Sequence, residues 1–262
     1  MYYLGQLEKL LTEPSAEPVA PGTLQCRMAR HRFSLSAEPV VLEVESLVRP
    51  GFWLEYPHGN ASFASPGDRL FVPPVMVGDA ADIATGTETV FIDVREGLRC
   101  TGLAKFVGGR TASGIPVLVC DNHNFVLEAW RLLQASPPVL VHIDQHRDEA
   151  ECRCGPGGEI RQTRVCDYID YARRKGWIQT AFLSFIQRSD LGLAAAIPAA
   201  DKICNIDLDI FHPECTVLTL EEKAMLIRRA AAGASLITIA TSPGYIDQER
   251  SCAIARLLWR CL

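Results

Sequence analysis

The 262-residue chain has 26 lysine and arginine residues against 31 aspartate and glutamate residues, for a formal net charge of −5. It has no basic block, which argues against nucleic acid as its main partner. Hydrophobic residues make up 48% and charged residues 22%, an ordinary globular composition at a length that can bury a substantial core.

No apolar run reaches membrane-spanning length, so no membrane partner is expected. The opening MYYLGQLEKLLTEPSAEP lacks the basic start and long apolar middle of a secretory signal, and a cytoplasmic location is expected. Leu4, Leu7, Leu10 and Leu11 have helical spacing and predict a short helix ending before Pro14. From there to about residue 100 the chain is rich in proline and short apolar runs: PVVLEVESLV, GFWLEY, RLFVPPVMV and TVFIDV. These read as short strands and loops, so residues 1–100 are expected to form a β-rich region that extends the sheet or covers an active site.

After Gly114 strands and helices alternate. IPVLVC precedes the helix-like HNFVLEAWRLLQ, and PPVLVHID precedes VCDYIDYARRKG. Then come TAFLSFI, KICNIDLDIF, LEEKAMLIRRAAAG, SLITIA and a final helix from about Gln248. Thr219 and Glu222 have capping-box spacing, and Gly233 can end the helix they start. This alternation predicts an α/β fold over residues 101–262, a mostly parallel sheet with helices on both faces, alone or as one compact domain with the first hundred residues. Ligands of such sheets bind beyond the carboxyl ends of the strands.

Three predicted strand ends carry related chemistry: Asp121 and His123 in VCDNHN, Asp144, His146 and Asp148 in HIDQHRD, and Asp207 and Asp209 in NIDLDIF. In an extended strand, residues two apart share a face, so His142, Asp144, His146 and Asp148 would project together. A lone Asp-x-Asp is common in loops and helix caps, but three such strand ends in one chain ask for cations. Asp144, Asp148, Asp207 and Asp209 carry a formal −4 that two divalent ions would balance. Oxygen-rich donors with two histidines suit Mn2+, and iron, cobalt or zinc accept the same donors.

The ten cysteines run from Cys26 to Cys261 and read mainly as buried thiols. Cys152, Cys154 and Cys166 lack the second close pair of a structural zinc site.

Asp144-Gln-His146-Arg-Asp148 and Asp207-Leu-Asp209 resemble the two acidic metal motifs of the arginase, or ureohydrolase, superfamily, with His123 matching the histidine of its first motif. HIDQH together with NIDLDIF more closely resembles the peptide arginases, which convert arginine in ribosomally synthesised peptides to ornithine. The resemblance runs from about Pro116 to the C-terminus. It implies a three-layer α/β/α fold and two manganese ions, His123 and Asp148 on one, His146 and Asp209 on the other, Asp144 and Asp207 on both. It also implies hydrolysis of a guanidinium group to urea, on an arginine-containing precursor peptide as partner.

Two features depart from the arginase pattern. Ala240 and Ser242-Pro243 stand where arginases have a guanidinium-binding glutamate followed by Asn-Pro, leaving Asp247, Glu214 and Glu149 as candidate substrate contacts. The loop after the second motif contains no histidine to shuttle protons, leaving His142 and His212 as candidates for proton transfer or for orienting the metal ligands. The stretch Gly155 to Gly158 reads equally as a gate for a bulky substrate or as a surface turn. The alternatives are a ureohydrolase for a small guanidino or amidine compound, a zinc deacetylase of the same fold, and a metal-stabilised peptide-binding module.

Overall fold

A computed structural model describes residues 42–55, 69–93, 97–133, 136–152, 159–160, 163–179, 182–184 and 187–262. The predicted helix around Leu4 to Leu11 and the Gly155 to Gly158 stretch lie outside these residues, as does Cys154.

The core is a seven-stranded mixed sheet in the order β3-β6-β7-β11-β10-β8-β9. These are Val75–Val77 (β3), Phe106–Arg110 (β6), Pro116–Cys120 (β7), Leu236–Ala240 (β11), Lys202–Asp207 (β10), Val139–Ile143 (β8) and Phe182–Ser184 (β9). The five strands from β7 to β9 in that order are mutually parallel, while β6 runs antiparallel to β7 and parallel to β3. Strands β7, β10 and β11 are buried along their whole length, which fits the largely apolar sequences of β7 and β11, since neither face meets water, while Lys202, Asn205 and Asp207 of β10 are buried with polar partners.

Two antiparallel pairs stand outside this sheet: β1 (Phe52–Glu55) with β2 (Arg69–Val72), and β4 (Thr85–Asp93) with β5 (Leu98–Leu103). The described part of the run PVVLEVESLV, expected as a strand, contains instead a 3-10 turn, Val44–Leu47. Its buried residues Val44 and Leu47 are three apart, the 3-10 repeat rather than the strand repeat.

The expected long helix after β7 is broken into a 3-10 turn at His123–Val126, a short α1 at Leu127–Trp130 and another 3-10 turn at Arg131–Leu133. Helix α2 (Tyr168–Arg174) follows β8, α3 (Leu220–Ala231) precedes β11, and α4 (Gln248–Cys261) ends the chain. Right-handed crossovers place α1 and α2, which run toward β9, on one face and α3, which runs back, on the other.

The Thr219–Glu222 capping box forms as the spacing predicts. Helix α3 buries Lys223, Ala224, Leu226, Ile227, Ala230 and Ala231, a stripe at helical spacing. Gly233, at φ +68, turns the chain out of it. No helix among the described residues is long and apolar enough to cross a membrane.

Candidate metal centre

Parallel strands β7, β11, β10 and β8 are neighbours and end on the same edge. Their carboxyl ends deliver Asp121 and His123, Ser242, Asp207 and Asp209, and Asp144, His146 and Asp148, respectively. The acidic motifs do not arrive as continued strands. β8 stops at Ile143 and the chain bends through Asp144 to His146, Asp148 sits in the left-handed region at φ +49, and Asp209 lies in the 3-10 turn Leu208–Phe211. Short turns at the strand ends therefore bring these side chains together.

The resulting cluster is tight. His123 Nδ1 is 2.7 Å from Asp207 Oδ2 and 3.5 Å from Asp144 Oδ2, and its Nε2 is 3.1 Å from Asp148 Oδ2. On the other side His146 Nδ1 is 2.9 Å from Asp209 Oδ2 and 3.4 Å from Asp144 Oδ1. Three sets have ligand atoms within 4.8 Å of one another: His123, Asp144 and Asp207; Asp144, His146 and Asp209; and His142, Asp144 and Asp148. Asp144 belongs to all three, as a residue between two ions would.

A buried group of this kind ordinarily satisfies its hydrogen bonds. Yet His123 Nδ1, Asp144 Oδ2, Asp148 Oδ2, Asp209 Oδ2 and His142 Nε2 complete none among the described residues. Lone pairs left facing one another at these distances fit divalent cations, and the donors, carboxylates and imidazoles without thiolate, suit a hard or borderline ion.

The electrostatics point the same way. Burial opposes a charged His123, but Asp148, Asp207 and Asp144 outweigh it and push its pKa to about 10. The adjacent Asp144 and Asp209 carboxylates raise His146 to about 11. Burial and neighbouring carboxylates raise Asp148 and Asp209 to about 7. Burial also acts on Asp144, but the three surrounding histidines hold it well below the usual carboxylate range. Without cations, the protein must use protons to offset this concentration of negative charge.

Beneath the cluster lies a buried polar network absent from the motif analysis. Thr238 Oγ1 donates to Asn205 Oδ1 at 2.7 Å, and Asn205 Nδ2 lies 2.9 Å from both the Tyr168 hydroxyl and His142 Nδ1. His142 then points Nε2 at Asp144 Oδ2, 3.3 Å away. Tyr168 stacks on His123 with ring centroids 5.1 Å apart. Asn205 and His142 are direct partners across β10 and β8, and each stands two residues before an aspartate of the cluster. The two-residue spacing is visible in the sequence, but the pairing across the strands is not.

Asp121, left out of the predicted ligand set, is also buried. Its Oδ1 accepts from the Leu103 N–H at 2.6 Å, tying the end of β5 to the strand ends, and burial pushes its pKa to about 7. A Cβ on Gly102 would collide with the Asp121 carboxylate, so this approach requires glycine.

The other predicted residues divide. His142 is fully buried behind Asp144. His212 is half-buried just after the Asp209 turn, where its Nδ1 accepts from the Glu214 N–H at 3.3 Å. Asp247 caps α4 by accepting from the Arg250 N–H at 2.9 Å. Glu149 lies 3.8 Å from both Arg147 and Arg173. Glu214 is exposed.

The cluster opens on one side only among the described residues: the side chain of His146 is 45% exposed, while those of His123, Asp144, Asp148, Asp207 and Asp209 are buried. Tyr245, 39% exposed, meets His146 edge-on at 5.4 Å and Phe91 of β4 at 5.9 Å. The β4–β5 pair also reaches the strand ends through Val90, whose carbonyl accepts from Asn122 Nδ2 at 3.2 Å.

No family model and no curated protein matches the chain. Among solved structures, it is similar to the proclavaminate amidino hydrolase from Streptomyces clavuligerus, with 16% sequence identity and a TM-score of 0.40. The likeness covers 55% of this chain, which spans 63% of the length of that structure.

Proposed function

We propose that this protein is a dimanganese hydrolase of linear amidines that converts arginine within a ribosomally synthesised peptide to ornithine and urea. The observation that supports it is the convergence of His123, Asp144, His146, Asp148, Asp207 and Asp209 at the ends of neighbouring parallel strands, with unpaired lone pairs turned toward one another. His123 and Asp148 would hold one ion, His146 and Asp209 the other, and Asp144 and Asp207 both. When bound, two such ions activate water at neutral pH and stabilise the negative charge that develops on attack.

The chain's own residues have separate tasks in this reading. Thr238, Asn205 and His142 brace Asp144 from beneath. His142, sealed behind that carboxylate and engaged at Nδ1, orients it rather than carrying protons to solvent. His212, half-buried, is the better candidate to protonate the leaving amine. The guanidinium enters past His146 and Tyr245. Ala240 is buried in β11 and supplies no carboxylate to it, Asp247 is engaged in capping and Glu149 faces two arginines. Glu214 is then the remaining candidate carboxylate. With few contacts for a free amino acid among the described residues, positioning would come from a larger substrate, and in this reading the β4–β5 pair covers it.

The test is a side-by-side urea assay of manganese-loaded protein on a peptide with an internal arginine, on free arginine and on agmatine, with mass spectrometry of the peptide. Much faster release from the peptide, with ornithine formed in place, is expected. Comparable turnover of free arginine or agmatine would establish the small-molecule ureohydrolase instead. Deacetylation without urea release would identify the zinc deacetylase.

A further inference from the structure

Ser242 occupies a costly conformation. It is a buried non-glycine residue at φ +49, and proline follows it. A left-handed backbone is unfavourable for a residue with a Cβ, and residues held this way cluster where surrounding structure enforces them for a purpose. Backbone bonds pin it: its N–H donates to the Asp121 carbonyl at 2.8 Å, and its own carbonyl accepts from the Tyr245 N–H at 3.0 Å. This backbone aims the hydroxyl at the metal cluster, where Oγ donates to Asp207 Oδ2 at 2.7 Å.

That bond acts on a carboxylate whose two oxygens have different partners. Asp207 Oδ1 is engaged locally, accepting from the Asp209 N–H at 2.8 Å to cap the following turn. Oδ2 faces His123 Nδ1 at 2.7 Å. The hydroxyl and the Asp209 N–H therefore fix the rotation of the carboxylate together, and the hydroxyl is the side chain that aims the remaining lone pair of Oδ2 at the cluster. Partners that fix a ligand's orientation tune affinity for the ion, typically by about 10- to 100-fold.

We propose that Ser242 is a positioning residue whose left-handed backbone exists to deliver a hydroxyl to Asp207, and that this hydroxyl sets how tightly the centre holds its divalent ions. The inference rests on the metal-centre reading above but not on the identity of the substrate.

Three variants separate the hydroxyl from the backbone. Ser242→Ala removes the hydroxyl and keeps the strain. Ser242→Gly removes both, and Ser242→Thr keeps the hydroxyl while adding a β-branch that the left-handed region disfavours. Each is stripped with chelator, and two quantities are measured: Mn2+ affinity by calorimetric titration and the thermal midpoint of the metal-free protein.

Affinity is expected to fall by about 10- to 100-fold in both the alanine and glycine variants and to stay near wild type in threonine. The midpoints should order differently, with glycine above alanine and threonine below wild type. Wild-type affinity in the alanine or glycine variant overturns the proposal, as does an affinity that simply follows the midpoints. If threonine does not fold, the alanine and glycine pair still decides. A wild-type protein that binds no Mn2+ overturns the metal centre and this inference together. One that binds Mn2+ with this pattern but releases no urea leaves the positioning role standing and removes only the proposed reaction.

Discussion

Asp144 is the residue on which the cluster converges. Its Oδ1 accepts from the His146 N–H at 2.6 Å while its Oδ2 lies among His142 and His123. Asparagine would preserve the shape but turn one acceptor into a donor facing the proposed ions. Asp144→Asn and Asp207→Asn are therefore expected to lose most bound manganese, read by elemental analysis after dialysis, and essentially all hydrolysis, while the circular dichroism of the fold survives. Near-normal metal content in both would remove the assignment. Asn205 has a different prediction. Replacing it with leucine leaves the hydroxyls of Thr238 and Tyr168 and the His142 Nδ1 without their partner, which costs about 3 kcal/mol in denaturant unfolding. The aspartates and histidines were legible in the sequence because strand ends concentrate charged residues that a core would otherwise reject. Ser242 and Asn205 were not, because a serine hydroxyl or a core amide carries no signal until the neighbouring strand supplies its partner.

Among the elements, the parallel strands and helices α2, α3 and α4 were readable, since each repeats one period against a buried surface. The alternation read in Asp144 to Asp148 was right about proximity and different in cause. Turns, a 3-10 helix and a left-handed aspartate gather the side chains, where an extended strand would have spread them along its length. The helix after β7 was read as continuous because its apolar residues fit, but His123 and Asn124, both buried at its start, face the site and Thr163 rather than a regular helix stripe. At the start of α4, Asp247 was read as a substrate contact and is found as a helix cap. Its carboxylate caps the helix, so Asp247→Ala should lower stability by about 1 kcal/mol and leave KM for the peptide unchanged. A raised KM at unchanged stability would return Asp247 to the substrate.

Across the whole molecule, the sheet order could not be read from sequence, because the strands that deliver the site are contiguous in space in the order β7, β11, β10, β8 and not along the chain. This arrangement concentrates buried carboxylates at one edge and links stability to pH and metal. Asp148 and Asp209, near 7 when folded against an ordinary 3.8, favour the protonated folded form, so their contribution is lost as pH rises from about 4 to about 7. His123 and His146, raised to about 10 and 11 from 6.5, contribute fully below the unfolded value and lose that contribution as pH climbs through the folded one. Asp144, held low, contributes above its unfolded value and loses it only in acid.

These signs agree: the metal-free protein should be most stable in mildly acidic solution and weaken as pH rises from about 5 to about 8. Ion binding needs the deprotonated ligands and so strengthens over that same interval. Asp121, buried nearby and also raised to about 7 by burial, adds to the same fall in the metal-free protein. Differential scanning fluorimetry with chelator and with saturating Mn2+ across that range should therefore show the metal-free midpoint falling and the metal-induced increment growing. A metal-free midpoint that climbs toward neutral pH, or an increment that shrinks, would mean that the cluster's charge is neutralised by something other than divalent ions.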